Sequence, residues 1–510
     1  MWTDGYVSEV EYTHGFYREL SPLIQNLAAF ASGYRSPDPA APGYRYLELG
    51  FGQGLSFNIN AATNPGTFWG TDFNPVQAAN AQALALASGS GAKVLDASFE
   101  ELAHHPDLPE FDVIALHGIW SWISDANRAV IVDIARRKLR PGGMMYISYN
   151  VTPGWSPAMP LRHLMTEYAS RQAVGGIDRK IDAAINFAET IAKLNAGYFR
   201  AYPDMLPRIE RIKGQNRQYL AHEYFNADWH PMPFSKAASL LSDAKLDFAT
   251  SANLYDQIDA INLSAEAQAA LQELTDPIMR QTVRDYLVNQ QFRKDIFIKG
   301  GRKFAQLEMN RALQSKTFVL LTPSDKVAKK VTGALGEADL QEQIYAPVTA
   351  FLASDRYSPK SFAEICASED CRQMQGNQVW QALLVLCGMG VCSPTHDIKT
   401  AKAAVKSARG LNRELYRRAE FSSDSSTVAA PLIGSGITLG RFEQMFLNAL
   451  ENGHKAPDQY VSDVLTAQGQ RVVVDGTPVE TAEAQLAEMQ KQYAAFQNER
   501  LPILKALMVV

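Results

Sequence analysis

The amino-acid sequence predicts an α/β protein: a doubly wound, Rossmann-like sheet near the N-terminus carrying a helical insertion, then additional C-terminal α+β regions. Three observations predict it. Strand-like and helix-like segments alternate between residues 45 and 149, a glycine-rich turn closes the first strand, and strand signals give way to helical periodicity after Pro157. Such alternation implies right-handed crossovers and a parallel sheet covered on both faces.

In chain order, Leu20, Leu23, Ile24, Leu27 and Phe30 recur at helical spacing and predict a helix over 11–33. The Pro/Ala/Gly-rich run at 36–43 is a loop. Residues 45–49 read as a strand, 56–62 as a helix, 67–73 as a strand and 75–87 as a helix. Strands follow at 93–97 and 111–117, then a helix over 128–139, stopped by Pro141-Gly142-Gly143 before a fifth strand at 144–149. Residues 157–235 read as inserted helices. Late strands at 247–254 and 295–299, with 264–291 helical between them, finish the sheet. The run Phe292-Arg293-Lys294-Asp295-Ile296-Phe297 is expected to solvate a sheet edge.

At roughly 100–200 residues per domain the chain holds several. The expected division is 1–300 for the first, 301–405 for a mostly helical, winged-helix-like middle domain, and 406–510 for the last. The middle domain rests on short helices at 345–354, 360–367 and 378–387, followed by a wing. The last has a Ser/Gly-rich stretch at 422–440, a helix at 441–452, a hairpin at 471–477 and a final helix.

Hydrophobic residues make up 46% and charged ones 20%, the composition of an ordinary globular protein. A net charge of -5 supplies no global basic field, so nucleic acid is not an expected partner. The longest nearly apolar run, from Trp380 to Cys392, is too short to span a bilayer, and the opening residues lack a secretory signal. A cytoplasmic protein without a membrane span is expected. Cys366, Cys371, Cys387 and Cys392 form two pairs, but Cys387 and Cys392 lie in apolar sequence where cysteine behaves as a small buried hydrophobe. No metal is expected.

The chemistry concentrates where the strands end. The first strand runs into Glu48-Leu49-Gly50-Phe51-Gly52-Gln53-Gly54, a glycine turn opening a helix, which is the usual nucleotide cradle. The dinucleotide fingerprint needs a third glycine three residues after the second, but here the spacing is G-x-G-x-G with an acidic residue before it. That pattern suits S-adenosylmethionine, whose methionine ammonium Glu48 can favour. It counts against an NAD-dependent dehydrogenase. Asp72, ending the second strand, can accept from both ribose hydroxyls, and Asp96, ending the third, can meet the adenine amino group with Ala97 and Ser98 beside it. Singly, each of these residues could equally cap a helix or turn. After the fourth strand, His117 and Gly118 are candidates for the cofactor site, and His117, Trp120 and Trp122 are candidates to wall an acceptor channel, although the tryptophans could equally pack the next helix. After the fifth, Tyr149 and Asn150 are candidates to orient an amine.

The segments Leu116–Ile123, Asn150–Trp155 and Ala221–Asn226 resemble bacterial class I methyltransferases that carry a methyltransferase regulatory domain, a family including rickettsial lysine methyltransferases of outer membrane protein B. The resemblance is strongest over residues 1–300, and Ala429-Ala430-Pro431-Leu432-Ile433-Gly434 is similar to a C-terminal family segment. It implies a class I methyltransferase fold, S-adenosylmethionine as cofactor, lysine side chains of a surface protein as acceptors, and a homodimer. It also implies cofactor contacts from Tyr12, Tyr17, Phe73 and Asn74, although the segment around Tyr12 and Tyr17 departs from the rickettsial pattern. Two alternatives remain open at this point: O-methylation of a small molecule or glycan with His117 as base, and non-catalytic cofactor binding.

Overall fold

The computed structural model describes residues 14–474 and 476–510. Tyr12 lies outside them. The predicted alternation appears in order: helix α1 (Pro22–Ala31), β1 (Arg45–Leu49), α2 (Leu55–Thr63), β2 (Thr67–Asp72), α3 (Pro75–Ser88), β3 (Lys93–Asp96), α4 (Phe99–Ala103), β4 (Phe111–Leu116), α5 (Asp125–Lys138) and β5 (Leu139–Asn150). The insertion supplies α6 (Met159–Arg171), α7 (Ile177–Lys193), α8 (Gly197–Ala201), α9 (Met205–Lys213), α10 (Arg217–Tyr224) and α11 (Phe234–Ser242). The sheet is completed by β6 (Leu246–Ser251), then α12 (Asp259–Asn262), α13 (Ala265–Glu273), α14 (Pro277–Leu287) and β7 (Phe292–Lys299).

The seven strands run in the order β3-β2-β1-β4-β5-β7-β6. The first five are parallel, and β7 lies antiparallel to both β5 and β6. The order reverses between β1 and β4, and ligands of such sheets bind beyond the carboxyl ends of the strands at that switch. One sheet face buries Tyr46, Val113, Ala115, Met144 and Tyr146 beneath α1 and α2. The other buries Leu47, Ile114, Leu116, Met145, Ile147 and Tyr149 beneath α5 and α11. Each fully buried aliphatic side chain contributes about 1.5–3 kcal/mol. The insertion has its own core, including Leu161, Met165, Ile181, Ile185, Ile209 and Leu220.

Several expectations are corrected. The helix over 11–33 is broken in its described part: a 3-10 turn at Arg18–Leu20 precedes α1, which starts afresh at Pro22, where a fixed φ and a missing N–H suit the first helical position. The helical run over 264–291 is two helices, because Pro277 opens α14 with the Asp276 side chain accepting from Met279 N at 2.6 Å. Arg293 and Asp295 do not solvate an edge. Strand β7 is flanked on both sides, and the two residues are 5% and 1% exposed.

Helix α2 is buried along its whole length. A long helix, Ile398–Ala419, and the strand pair Thr427–Ala430 and Ser435–Thr438 cover the side that faces away from the sheet. That long helix runs through the expected boundary at 405/406. The wing differs too: after the helix Gly376–Met389, the strand Cys392–Pro394 joins Thr317–Leu320 in a three-stranded sheet instead of forming a hairpin. Among the described residues no helix is long and apolar enough to cross a membrane. Cys371, Cys387 and Cys392 are buried free thiols, and Cys366 is partly buried.

Candidate active site

The glycine turn is laced to its neighbours through backbone groups. Gly50 N and Phe51 N donate to Thr71 O at 2.8 and 3.3 Å, and Gly52 N donates to Asp72 Oδ2 at 2.9 Å. Gly50, Gly52 and Gly54 all have positive φ, +73°, +59° and +75°, which L side chains rarely adopt. At Gly54 a Cβ would stand 2.4 Å from Ala81 Cβ, so close packing of α2 on α3 requires glycine. Among the described residues, a Cβ at Gly52 would meet nothing within 4 Å, which leaves room there for a ligand's approach.

Carboxyl groups border this turn. Glu48 is 2% exposed; burial pushes its carboxyl up to about 8, against a Tyr46 hydroxyl donating at 3.4 Å. Asp72 is pushed up to about 6 by burial, opposed by hydrogen bonds from Asn74 N and Gly52 N. Asp96 stands opposite Asp72 in the β2–β3 register and is exposed. Ala97 N donates to Asp72 O at 3.1 Å. Ser98 is committed to a helix cap, its hydroxyl accepting from Glu101 N and donating to Glu101 Oε2. Asn74 caps α3 by accepting from Val76 N, with partly buried Phe73 beside it.

At the end of β4 the imidazole of His117 stacks on Tyr17, ring centroids 3.9 Å apart, with Nδ1 2.8 Å from the Tyr146 hydroxyl. Desolvation drives His117 down to about 3, so the ring is neutral. Tyr17 N donates to Ser56 Oγ at 2.9 Å, which ties this segment to the first turn of α2. Gly118, at φ +67°, donates its N–H to Ser148 Oγ at 2.7 Å. The structure therefore gathers Tyr17, Glu48, the glycines, Asp72, Asp96, His117 and Gly118 at one end of the sheet.

The acceptor candidates divide. Asn150 is 5% exposed and its Nδ2 has no partner among the described residues, while its backbone N donates to Ser121 Oγ at 2.8 Å. Tyr149 points to the opposite face and donates to Asp295 Oδ2 at 2.8 Å in the core. Trp120 is fully buried core. Trp122 packs on Trp229 with centroids 6.1 Å apart, and Trp229 meets Trp155 edge-on at 5.2 Å. Protein guanidiniums already lie over those rings, Arg162 over Trp229 at 4.7 Å and Arg208 over Trp155 at 4.4 Å. The insertion sits on this end through His230 N donating to Ser121 O and Met232 N to Asn150 O.

Sequence reasoning missed Tyr146 and Ser148. The period-2 alternation of β5 contained the signal: Tyr146, Ser148 and Asn150 share one face, whereas Met145, Ile147 and Tyr149 share the other.

Residues 47–147 match a family described as a methyltransferase domain, and residues 216–299 match one described as a predicted methyltransferase regulatory domain. The structure of PKMT2 from Rickettsia typhi in complex with AdoHcy superposes with a TM-score of 0.69 over 94% of this chain and 97% of that one; at 15% identity the likeness is one of fold. The fold and the methyltransferase-domain match together define a class I S-adenosylmethionine-dependent methyltransferase. Protein RP789 of Rickettsia prowazekii is 23% identical over 344 residues, 63% of this chain and 58% of that one. The chain belongs to the family of the Synechocystis sp. protein sll1526, with which it is 39% identical over 508 residues, 99% of each chain.

The residues present fit the cofactor. There is open space at Gly52 among the described residues, and the Glu48, Asp72 and Asp96 carboxyls at the strand ends could accept from an ammonium, hydroxyls and an amino group.

Proposed function

We propose that this methyltransferase N-methylates lysine side chains of a protein, a surface protein being the first substrate to try, and that it works as a cytoplasmic homodimer. The observation that carries the reading is the engagement of His117, stacked on Tyr17 with centroids 3.9 Å apart and with Nδ1 2.8 Å from the Tyr146 hydroxyl, where burial lowers its basicity. Bound S-adenosylmethionine supplies a methyl group on a sulfonium, and displacement needs an acceptor with a free lone pair. A hydroxyl acceptor needs a base, and an imidazole held near 3 is a poor one. An amine needs only to lose its ammonium proton, at roughly 4–5 kcal/mol near pH 7, and desolvation lowers that cost.

In this reading Glu48, the Gly50–Gly54 turn, Asp72 and Asp96 hold the cofactor, with Tyr17 and His117 closing over it. Asn150, buried with an unpartnered Nδ2, orients the acceptor by accepting an amine N–H at its amide oxygen, which leaves the nitrogen lone pair free to attack, and the insertion covers the acceptor end. The resemblance of the segments around His117, Asn150 and His222 to lysine methyltransferases supports the same acceptor.

The test is incubation with labelled S-adenosylmethionine and native cell-envelope proteins, followed by mass mapping. Label on lysine nitrogen is expected. Label confined to hydroxyls or small molecules, or cofactor binding without transfer to any fraction, overturns the reading. Light scattering checks the dimer.

A further inference from the structure

A cavity of about 290 Å³ opens between β6, α13, α14 and β7, and shares no lining residue with the glycine turn. Three charged side chains on its side of the sheet are almost fully buried: Asp285, Arg293 and Asp295 are 2%, 5% and 1% exposed. Arg293 donates from Nη1 to Asp285 Oδ1 at 2.6 Å and from Nε to Asp295 Oδ2 at 2.7 Å. One guanidinium serves two carboxylates. Among the described residues, Asp285 Oδ2 and Asp295 Oδ1 have no partner.

A buried acceptor oxygen without a donor is costly, and one guanidinium against two carboxylates leaves the trio one positive charge short, so a cationic N–H donor would satisfy both needs. The other cations lining the cavity are engaged elsewhere. Arg284 donates to Asp259 Oδ1 and Asp256 O, and Arg280 donates to Leu274 O. The Asp256 carboxylate is taken by Ser251 Oγ and Asn253 Nδ2. We propose that this cavity binds a small primary amine, its ammonium lying against Asp285.

The cavity wall also holds the acceptor side of the active site. Gln290, which lines the cavity, donates its N–H to Asp285 O at 2.9 Å. Its carbonyl accepts from Gly154 N at 3.0 Å, and the next carbonyl, of Gln291, accepts from Val151 N at 2.9 Å. The two backbones approach closely, since a Cβ on Gly154 would lie 2.4 Å from Gln290 O. An amine on Asp285 therefore steadies the loop after α14, and with it the turn that follows Asn150. The amine is an effector, and coupling of this kind is reciprocal between the two sites. Its effect on transfer rests on the acceptor role proposed for Asn150; its binding does not.

The experiment adds millimolar ethanolamine or putrescine to the full chain and measures thermal unfolding and hydrogen exchange. A rise in Tm and slowed exchange at residues 150–155 are expected. Tetramethylammonium, which has the charge but no N–H, leaves both unchanged. Asp285→Asn, and Ala249→Leu, which fills the cavity without altering its charges, abolish the response. No response to either amine, an equal response to tetramethylammonium, or an undiminished response in a folded variant overturns the proposal.

Discussion

Arg418 donates from Nη1 to Asn80 Oδ1 at 2.7 Å, across 338 residues of sequence. Because the guanidinium occupies the Asn80 oxygen, the amide nitrogen faces Gln53 O and donates to it at 2.8 Å, inside the cofactor turn. The C-terminal region thereby sets the position of a loop carbonyl. Arg418→Met frees the amide to flip, and should weaken binding of S-adenosylhomocysteine about tenfold, roughly 1.4 kcal/mol, in calorimetry. Turnover at saturating cofactor stays close to wild type, and Arg418→Lys restores part of the affinity.

With Glu48 at the cofactor ammonium, as proposed, binding should depend on pH. Its carboxyl, raised from 4.5 to about 8, keeps a proton in the folded chain that the unfolded chain releases. The cost to folding is absent below pH 4.5, grows up to about pH 8 and is constant above. Glu48→Gln should stabilise the cofactor-free chain by about 3 kcal/mol at pH 7, read from chemical denaturation. In the wild type, affinity should rise from pH 6 to about 8. Calorimetry in buffers of different ionisation enthalpy should show a proton released on binding.

The glycines separate folding from binding. Gly54→Ala forces a methyl against Ala81 Cβ, and should lower stability by at least about 2 kcal/mol. Gly52→Ala meets only open space and carries strain of about 1–2 kcal/mol from its left-handed backbone. It should remain folded by circular dichroism while losing most of its affinity for S-adenosylhomocysteine.

Neighbouring residues of β5 should behave oppositely. Tyr149→Phe removes a hydrogen bond to a buried carboxylate and should cost about 1.5–3 kcal/mol in denaturation, with cofactor affinity unchanged. Asn150→Ala deletes an unpartnered buried amide, so stability should hold while transfer falls at least tenfold, about 1.4 kcal/mol of barrier. A destabilised but active Asn150→Ala variant would count against its orienting role.

His117 should leave no mark on the rate near neutrality. With its pKa taken from 6.5 to about 3, the log of kcat/KM between pH 5 and 8 should show no inflection that His117→Asn removes.

Much of the site was legible because its chemistry is local. The Gly50–Gly54 turn needs positive φ, which glycine alone supplies cheaply, and an α/β alternation puts Glu48, Asp72 and Asp96 at strand ends on one side of the sheet. The order of elements from 45 to 149 followed from periodicity for the same reason. Residue type and spacing were less informative where a position's role depends on its face. Tyr146 and Tyr149 are alike in sequence, yet one meets His117 and the other Asp295.

The sequence by itself determined the doubly wound sheet, its glycine turn and the carboxylates around that turn, because these depend on backbone conformation and on neighbours a few residues away. The tertiary structure alone decided that Arg293 and Asp295 are buried beside Tyr149, that α2 is enclosed by residues from beyond 397, and that Arg418 braces the cofactor turn. Those outcomes depend on which surfaces meet across hundreds of residues. Burial and electrostatic pairing are properties of the assembled surfaces, and no stretch of chain carries them alone.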